Sequence, residues 1–278
     1  MYATLQQYFC NDTKQSSLQA HIGLRLCALR ELFEETGLLL IEDGSRANDA
    51  SAAGIVLSPS ETTKWHSRLR LDPAAFLLLY ASIGCRPPLL SLKEWSNWMP
   101  PDEYSPRFDT MFFFVHLHSF ESCATHTNPI LKLTDEAYEL YADEPLSFLP
   151  ISLHRFIPPQ AYELGRLSQF PHLNQLATFA AQRATLGCRC WRPITAEITI
   201  AGTKCKLFLL PGDQRYTDVC VAHGPLTFCL SDLALDTQRN RFVINPDCDD
   251  FWLDSTTSEL GHVPPITRQV YFSLCEAT

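Results

Sequence analysis

The sequence has no excess of positive charge, because 22 Lys and Arg residues are outnumbered by 31 Asp and Glu residues, for a net charge of -9. Proteins that bind the phosphate backbone of nucleic acids usually carry clustered basic residues, so this balance argues against nucleic acid as a partner. An acidic protein that acts on a phosphate-containing substrate needs cations from another source. Metal ions held by carboxylates are one such source.

Long apolar runs are also missing. The longest runs, at residues 38–41, 76–81 and 111–115, are far shorter than the roughly 20 residues that a helix needs to cross a bilayer. The sequence therefore predicts no membrane partner. The first 19 residues lack a basic stretch followed by an apolar one, so no secretory signal is visible.

Neither the 11 cysteines nor the 9 histidines show a metal-binding spacing. The cysteines form no repeated CxxC pair, and Cys188, Cys190 and Cys205 lack a fourth ligand at a typical zinc spacing. This favours reduced, packed thiols over a zinc site. The histidines contain no HxxxH motif, and none is assigned to catalysis. A metal site in this protein is therefore expected to use carboxylates.

The run Arg30–Leu38 is the most informative part of the sequence. At helical spacing Glu31 lies three residues before Glu34 and four before Glu35, which places the three side chains on neighbouring turns of one face. Gly37 then supplies a left-handed C-cap that ends the helix and lets the chain turn into an apolar strand.

The opposite side of this helix is apolar, since Leu29, Leu32 and Phe33 point away from the three glutamates toward a core. Like charges so close destabilise an isolated helix by a few tenths of a kcal/mol per pair. The cluster therefore suggests a counter-cation, and hard oxygen ligands suit Mg²⁺ or Mn²⁺. The alternative interpretation is a solvated acidic helix face.

These residues resemble the second half of the Nudix box, whose pattern is G-x5-E-x7-R-E-U-x-E-E-x-G-U with U apolar. The pattern is matched at every specified position from Arg30 to Leu38. Its first half is not matched, because Ile22 stands where the box has Glu and Ser16 stands where it has Gly.

The rest of the sequence predicts further helices and strands, and the fold class is α+β. The predicted elements are a helix over residues 18–36, a strand over 38–41, a loop over 42–60, helices starting near Ser60 and Asp72, a strand over 108–118 covered on both faces, helices over 160–170 and 172–186, and strands over 194–200 and 206–210. Trp95 and Trp98 fall in a Pro-rich turn, where they anchor a loop or stack on an adenine.

Further segments are similar, in the same order, to the peroxisomal acyl-coenzyme A diphosphatase branch of the Nudix hydrolases. They are residues 26–31, 95–100, 107–113, 158–163 and 209–213. The resemblance implies a Nudix α/β/α sandwich with a mixed sheet in residues 1–187, a helical insertion at about 60–92, and a strand-rich appendage in 188–278.

That branch has a long insertion between the two halves of the box. We therefore expect the missing Gly and the first Glu to lie upstream, so that the Nudix domain is incomplete at its N-terminus. On this expectation part of the apolar helix face is under-covered, and the chain is at least about ten-fold less active than an extended one, a loss of roughly 1.4 kcal/mol.

The resemblance implies hydrolysis of the pyrophosphate in coenzyme A or acyl-coenzyme A. The products are phosphopantetheine, or its acyl form, and adenosine 3′,5′-bisphosphate. The resemblance assigns Glu31, Glu34 and Glu35 to Mg²⁺ or Mn²⁺, Arg30 to the orientation of these glutamates, and Glu136 to the attacking water. Arg30 is equally well explained as a structural ion-pair partner, and Glu136 as an exposed residue.

Two other functions stay open: a non-catalytic remnant that acts as a binding module, and a Nudix pyrophosphatase for another nucleoside diphosphate derivative. The resemblance implies a peroxisomal protein. The last three residues, Glu276-Ala277-Thr278, differ from the Ser-Lys-Leu class of peroxisomal signal, so the chain is expected in the cytosol. It is expected to be monomeric, with a small molecule as its substrate.

Overall fold

The computed structural model describes residues 15–43, 52–122, 158–167, 169–200, 202–222, 224–245, 250–256 and 260–265. The chain forms two compact units. The first unit comprises residues 1–94 and 113–140, and the second comprises 95–112 and 141–278. Helices occur together with mixed sheets in the described residues, which confirms the predicted α+β class.

The described helices and strands are named here in chain order. The helices are α1 (Gln15–Thr36), α2 (Pro59–Leu71), α3 (Ala75–Ile83), α4 (Pro158–Leu167), α5 (Leu173–Ala184), α6 (Tyr216–Val221) and α7 (Leu230–Ala234). The strands are β1 (Leu38–Glu42), β2 (Ala52–Val56), β3 (Lys93–Trp98), β4 (Thr110–Phe114), β5 (Leu117–Ser122), β6 (Cys190–Trp191), β7 (Ile194–Ile200), β8 (Thr203–Leu209), β9 (Thr227–Cys229), β10 (Asn240–Asn245) and β11 (Asp250–Ser255).

Helix α1 of the first unit buries its apolar side. Leu29 is 2% exposed and Phe33 is fully buried. The ring of Phe33 lies 6.3 Å from that of Phe76 on α3, measured between centroids. The predicted core-facing side is therefore confirmed at Leu29 and Phe33, whereas Leu32 on the same side is only partly buried against this core. Burial of a residue of this size contributes about 1.5–3 kcal/mol to folding.

Strand β2 was missed by the sequence prediction, which placed a loop over residues 42–60. Ala52–Val56 pairs antiparallel with β1, Leu38 opposite Val56, and parallel with β5, Ala53 opposite Ser119. The strand order in this sheet is β1-β2-β5, so β2 is central. Its small residues have low strand propensity, and the hydrogen bonds from two neighbouring strands override that preference.

The single strand predicted over residues 108–118 is two strands, β4 and β5, separated at Val115 and His116. The expectation that it is covered on both faces is also wrong. Phe112 and Phe114 are only half-buried, and Phe108 is exposed. The uniform apolar run hid both the interruption and the partial exposure, because composition alone does not show which residues face solvent.

Helices α2 and α3 fall within the predicted insertion of residues 60–92. Pro59 opens α2, and the Ser58 hydroxyl accepts a hydrogen bond from the Glu61 backbone N–H at 3.4 Å. Trp65 and Leu69 are buried on one side of α2, whereas Leu71 is 88% exposed. The apolar spacing therefore predicts the core-facing side correctly except at its last residue.

The second unit contains a five-stranded sheet in the order β11-β10-β8-β7-β9. The predicted hairpin at its centre is confirmed, because β7 and β8 pair antiparallel from Ile194 opposite Leu209 to Ile200 opposite Thr203. Gly202 takes a φ of +83° in the connecting turn, which glycine adopts without a steric penalty. The two helices predicted before this sheet are confirmed as α4 and α5.

Trp95 and Trp98 lie on strand β3 rather than in a turn, and both are buried. Their indole N–H groups donate to the two carboxylate oxygens of Glu163, at 2.8 and 2.7 Å. The Arg166 guanidinium donates to the same carboxylate at 3.1 and 3.2 Å. Burial excludes the alternative in which these tryptophans stack on an adenine. Instead they hold a buried charge in the core of the second unit.

His262 packs beside this cluster, with its ring 4.4 Å from the Trp95 ring and perpendicular to it. Burial, with Arg166 and Arg183 nearby, lowers the pKa of His262 to about 2. The imidazole is therefore neutral at physiological pH, and it accepts a hydrogen bond from the Val263 N–H at 3.1 Å through Nδ1. This cluster is structural, because the two indoles and Arg166 all donate to the Glu163 carboxylate inside the unit.

A second buried network fixes the turn after β8. The Arg241 guanidinium donates to both oxygens of Asp213, at 2.7 and 2.8 Å, and to Asp236 at 2.8 Å. Burial raises the pKa of Asp213, against the opposing effect of Arg241. Asp213 also accepts from the Asn240 N–H at 2.8 Å, which joins the turn to β10.

In the described part of the chain, no helix is long and apolar enough to span a membrane.

Candidate metal and phosphate site

The predicted carboxylate cluster lies on the last two turns of α1, which ends at Thr36 as the sequence predicts. Glu31 is 50% exposed and Glu34 is 28% exposed, and Glu35 is half-buried. The structure therefore places the three glutamates on a helix end that solvent and a charged ligand can reach. Between them, Phe33 is turned into the core of the first unit, and Leu32 is partly buried against it.

Arg30 is ion-paired with two of these glutamates. Its Nη1 atom donates to Oε2 of Glu34 at 2.7 Å, and its Nη2 atom contacts Oε1 of Glu31. Burial alone lowers the pKa of Arg30, but hydrogen bonds to Glu34 and Cys27 raise it overall. Arg30 therefore partly neutralises the cluster. The two interpretations given for Arg30 are both compatible with this geometry, because the same ion pairs would also orient the two glutamates.

The last turn of α1 is held by three hydrogen bonds besides those of the helix. The Thr36 hydroxyl donates to the Leu32 carbonyl at 2.6 Å, and the Gly37 N–H donates to the Phe33 carbonyl at 2.8 Å. The third is from His66 on α2, whose Nε2 lies 3.2 Å from the same Phe33 carbonyl. The Phe33 carbonyl, one of the four that the helix leaves free at its C-terminus, thus has two donors, which limits fraying of the turn that carries Glu34 and Glu35.

The other half of α1 is fixed by a buried arginine. Arg25 is 3% exposed and donates to Glu94 at 2.9 Å and to the His21 carbonyl at 3.1 Å. Its guanidinium also lies 5.0 Å from the centre of the Phe113 ring. Removing one partner of such a pair leaves an uncompensated buried charge, so this contact anchors the helix in the first unit.

The donor chemistry of the cluster fits a divalent cation, because three carboxylates within five residues supply only hard oxygen ligands. The three side chains are not positioned around a common point where one cation could bind. Among the described residues, no group of three His, Cys, Asp or Glu side chains is placed to hold one ion. Arg30 occupies the position of a counter-cation for Glu31 and Glu34. The assignment of Mg²⁺ or Mn²⁺ to this helix stays a prediction.

Glu136 lies outside the described residues, and its role at the attacking water stays a prediction. Sequence reasoning missed His66 and the Arg25–Glu94 pair. Arg25 lies three residues after Ile22, on the same side of the helix and within an otherwise apolar stretch. That position could have indicated that Arg25 is buried. His66 gave no signal, because its contact joins residues 33 positions apart.

Two glycines of the same segment give opposite expectations for substitution by alanine. Gly37 has a φ of +73°, so Gly37→Ala is expected to destabilise the first unit by about 1 kcal/mol. An added Cβ would meet Thr62 Cγ2 at an ordinary 3.6 Å, so backbone strain alone causes the loss. Gly23 is an exposed helical residue with open space around it, and Gly23→Ala is expected to stabilise by up to about 1 kcal/mol. Thermal unfolding of both variants checks these signs, and a stabilised Gly37→Ala protein contradicts the left-handed cap.

A helix with Arg and Glu at these spacings, ended by glycine and followed by a strand, is the arrangement of the second half of the Nudix box. The family model described as the NUDT19 Nudix domain matches residues 3–167, more than half of the chain. The chain therefore belongs to the Nudix hydrolases, in the NUDT19 family. The resemblance found in the sequence is confirmed.

Relatives of known name support the same assignment. The chain is 34% identical over 220 residues to acyl-coenzyme A diphosphatase NUDT19 of Gallus gallus, which covers 73% of this chain and 54% of that protein. It is 34% identical over 209 residues to the protein of that name from Homo sapiens. It is 30% identical over 217 residues to the one from Xenopus laevis. Each of these two alignments covers 73% of this chain and 53% of the relative. The chain thus spans about half the length of these relatives. No solved structure matches it.

Proposed function

We propose that this protein is a metal-dependent hydrolase of the pyrophosphate bond in coenzyme A and acyl-coenzyme A. The products are phosphopantetheine, or acyl-phosphopantetheine, and adenosine 3′,5′-bisphosphate. The carboxylate cluster on the last turns of α1 is the observation that carries the proposal. Relatives named as acyl-coenzyme A diphosphatases support the substrate class.

In this proposal Glu31 and Glu35 bind Mg²⁺ or Mn²⁺, and Glu34 is a further ligand or holds a bound water. When bound, the cation supplies charge neutralisation for the phosphoryl oxygens and lowers the pKa of water. Arg30 orients Glu31 and Glu34 through the ion pairs seen in the structure. Glu136 orients or deprotonates the attacking water. The protein's part is thus to place carboxylates on a rigid helix end.

A binding module without turnover is the second candidate function. The pairing of Arg30 with two of the three glutamates favours it, because the arginine competes with a cation for the same oxygens. A binding module would still take up coenzyme A through its phosphate groups. It would not consume it.

The experiment that separates these functions measures product release from coenzyme A and from an acyl-coenzyme A by the full chain. Reactions contain Mg²⁺, Mn²⁺ or a chelator, and a dinucleotide pyrophosphate serves as the competing substrate. We expect adenosine 3′,5′-bisphosphate to appear only with metal. Coenzyme A binding without product supports the binding module, and faster hydrolysis of the dinucleotide moves the substrate to another nucleoside diphosphate derivative.

A further inference from the structure

Helix α2 of the predicted insertion contacts the carboxylate helix through His66, among other residues of the shared core. The imidazole Nε2 lies 3.2 Å from the Phe33 carbonyl oxygen, so Nε2 must carry the proton and donate. The same ring meets the Phe33 ring at 5.2 Å between centroids and an angle of 78°, an edge-to-face contact. One side chain therefore holds both the backbone and the side chain of Phe33.

Phe33 is directly followed by Glu34 and Glu35. Its carbonyl accepts from two donors, the Gly37 N–H at 2.8 Å and His66. Its ring is fully buried between His66 and Phe76, both of which belong to the α2–α3 hairpin. The position of the last turn of α1 is thus set by the inserted hairpin as well as by α1 itself.

We propose that His66 is a positioning residue for the carboxylate site, one that fixes the turn carrying Glu34 and Glu35 so that their oxygens can bind one cation. This inference rests on the proposed function, since it assigns to the insertion a part in assembling that site. The residues that orient metal ligands commonly set metal affinity by 10- to 100-fold. A helix end that frays would lose the same preorganisation, because each turn that opens moves a ligand.

Three variants test this inference. His66→Phe keeps a ring against Phe33 and removes the N–H donor, whereas His66→Gln restores a donor at nearly the distance of Nε2 from the backbone. Ser67→Ala is the matched control on the same helix, because Ser67 is exposed and its hydroxyl donates to the Thr63 carbonyl of its own helix at 2.9 Å. If His66→Phe does not fold, His66→Asn replaces it, since its shorter amide cannot reach the Phe33 carbonyl.

The readout is Mn²⁺ binding to the full chain without substrate, by calorimetry or by the loss of the free-ion electron spin resonance signal. We expect His66→Phe to bind Mn²⁺ at least about ten-fold more weakly, a difference of about 1.4 kcal/mol. His66→Gln and Ser67→Ala should stay within about three-fold of the parent chain. Melting temperatures of all variants measure the structural part of the effect separately.

Wild-type affinity in His66→Phe, or an equal loss in His66→Phe and His66→Gln, overturns the inference. A lower melting temperature with unchanged Mn²⁺ affinity also overturns it, because His66 then contributes to stability alone. If the parent chain neither binds Mn²⁺ nor hydrolyses coenzyme A, the proposed function fails together with the inference. If the parent chain binds Mn²⁺ and hydrolyses coenzyme A, and the His66→Phe variant does both equally well, the inference fails and the proposed function stands.

Discussion

Glu35→Gln is expected to lower turnover of coenzyme A about 100-fold or more, equivalent to roughly 2.7 kcal/mol of transition-state stabilisation. The substitution keeps the size and shape of the side chain and removes the negative charge that a hard cation requires. The fold should persist, because Glu35 is half-buried at the end of α1 rather than part of the core. Steady-state kinetics at saturating metal measure the effect on kcat.

Glu61→Gln is the matched control for this variant. Glu61 is exposed at the start of α2, and glutamine can still accept the Ser58 hydroxyl that contacts it at 3.0 Å. Its turnover should stay within about two-fold of the parent, since surface substitutions of this kind cost less than about 0.5 kcal/mol. Full activity of Glu35→Gln, with the same metal dependence as the parent, removes Glu35 from the metal site.

Glu163→Ala is expected to destabilise the second unit by about 3–5 kcal/mol, because it leaves the Arg166 guanidinium buried without its carboxylate. The Trp95 and Trp98 indoles lose the same acceptor. Arg166 also lies over the Tyr162 and Trp191 rings, at 4.6 and 4.4 Å from their centroids, so it cannot leave the core without breaking that packing. Urea unfolding followed by tryptophan fluorescence measures the loss.

The control for this change is Glu197→Ala. Glu197 belongs to the same unit and pairs with Lys204 at 3.5 Å on the exposed surface. An exposed pair contributes at most about 1 kcal/mol, so this variant should unfold close to the parent. The free energy of unfolding of Glu163→Gln should lie between those of Glu163→Ala and Glu197→Ala, since an amide oxygen still accepts hydrogen bonds. A Glu163→Ala protein as stable as Glu197→Ala contradicts a buried charge cluster.

The carboxylate helix could be predicted from the sequence because its signals are local. The glutamate spacing, the apolar face and the glycine stop all fall within residues 29–38, and the structure places α1, Gly37 and β1 accordingly. The hairpin of β7 and β8 was predictable for the same reason, since two strands and one turn specify it.

Long-range pairing explains what the sequence could not predict. The first three residues of strand β2, Ala52, Ala53 and Gly54, have little strand propensity, and the strand forms because β1 and β5 pair with it. Trp95 and Trp98 were assigned to a turn by the prolines around them, whereas their partner Glu163 lies more than 60 residues further along the chain. In both cases a contact absent from the local pattern decides the structure.

The pairing of β2 with β5 also sets an order of events during synthesis. Ala53 lies opposite Ser119, so the sheet that follows the carboxylate helix lacks one of its three described strands until the ribosome has released the chain beyond Ser122. At about 5–20 residues per second, the preceding helix and first two strands wait for several seconds with one edge of β2 unpaired. An unpaired edge of this kind is open to association with other chains. A nascent chain stalled before Leu117 therefore exposes this edge of β2 to such association.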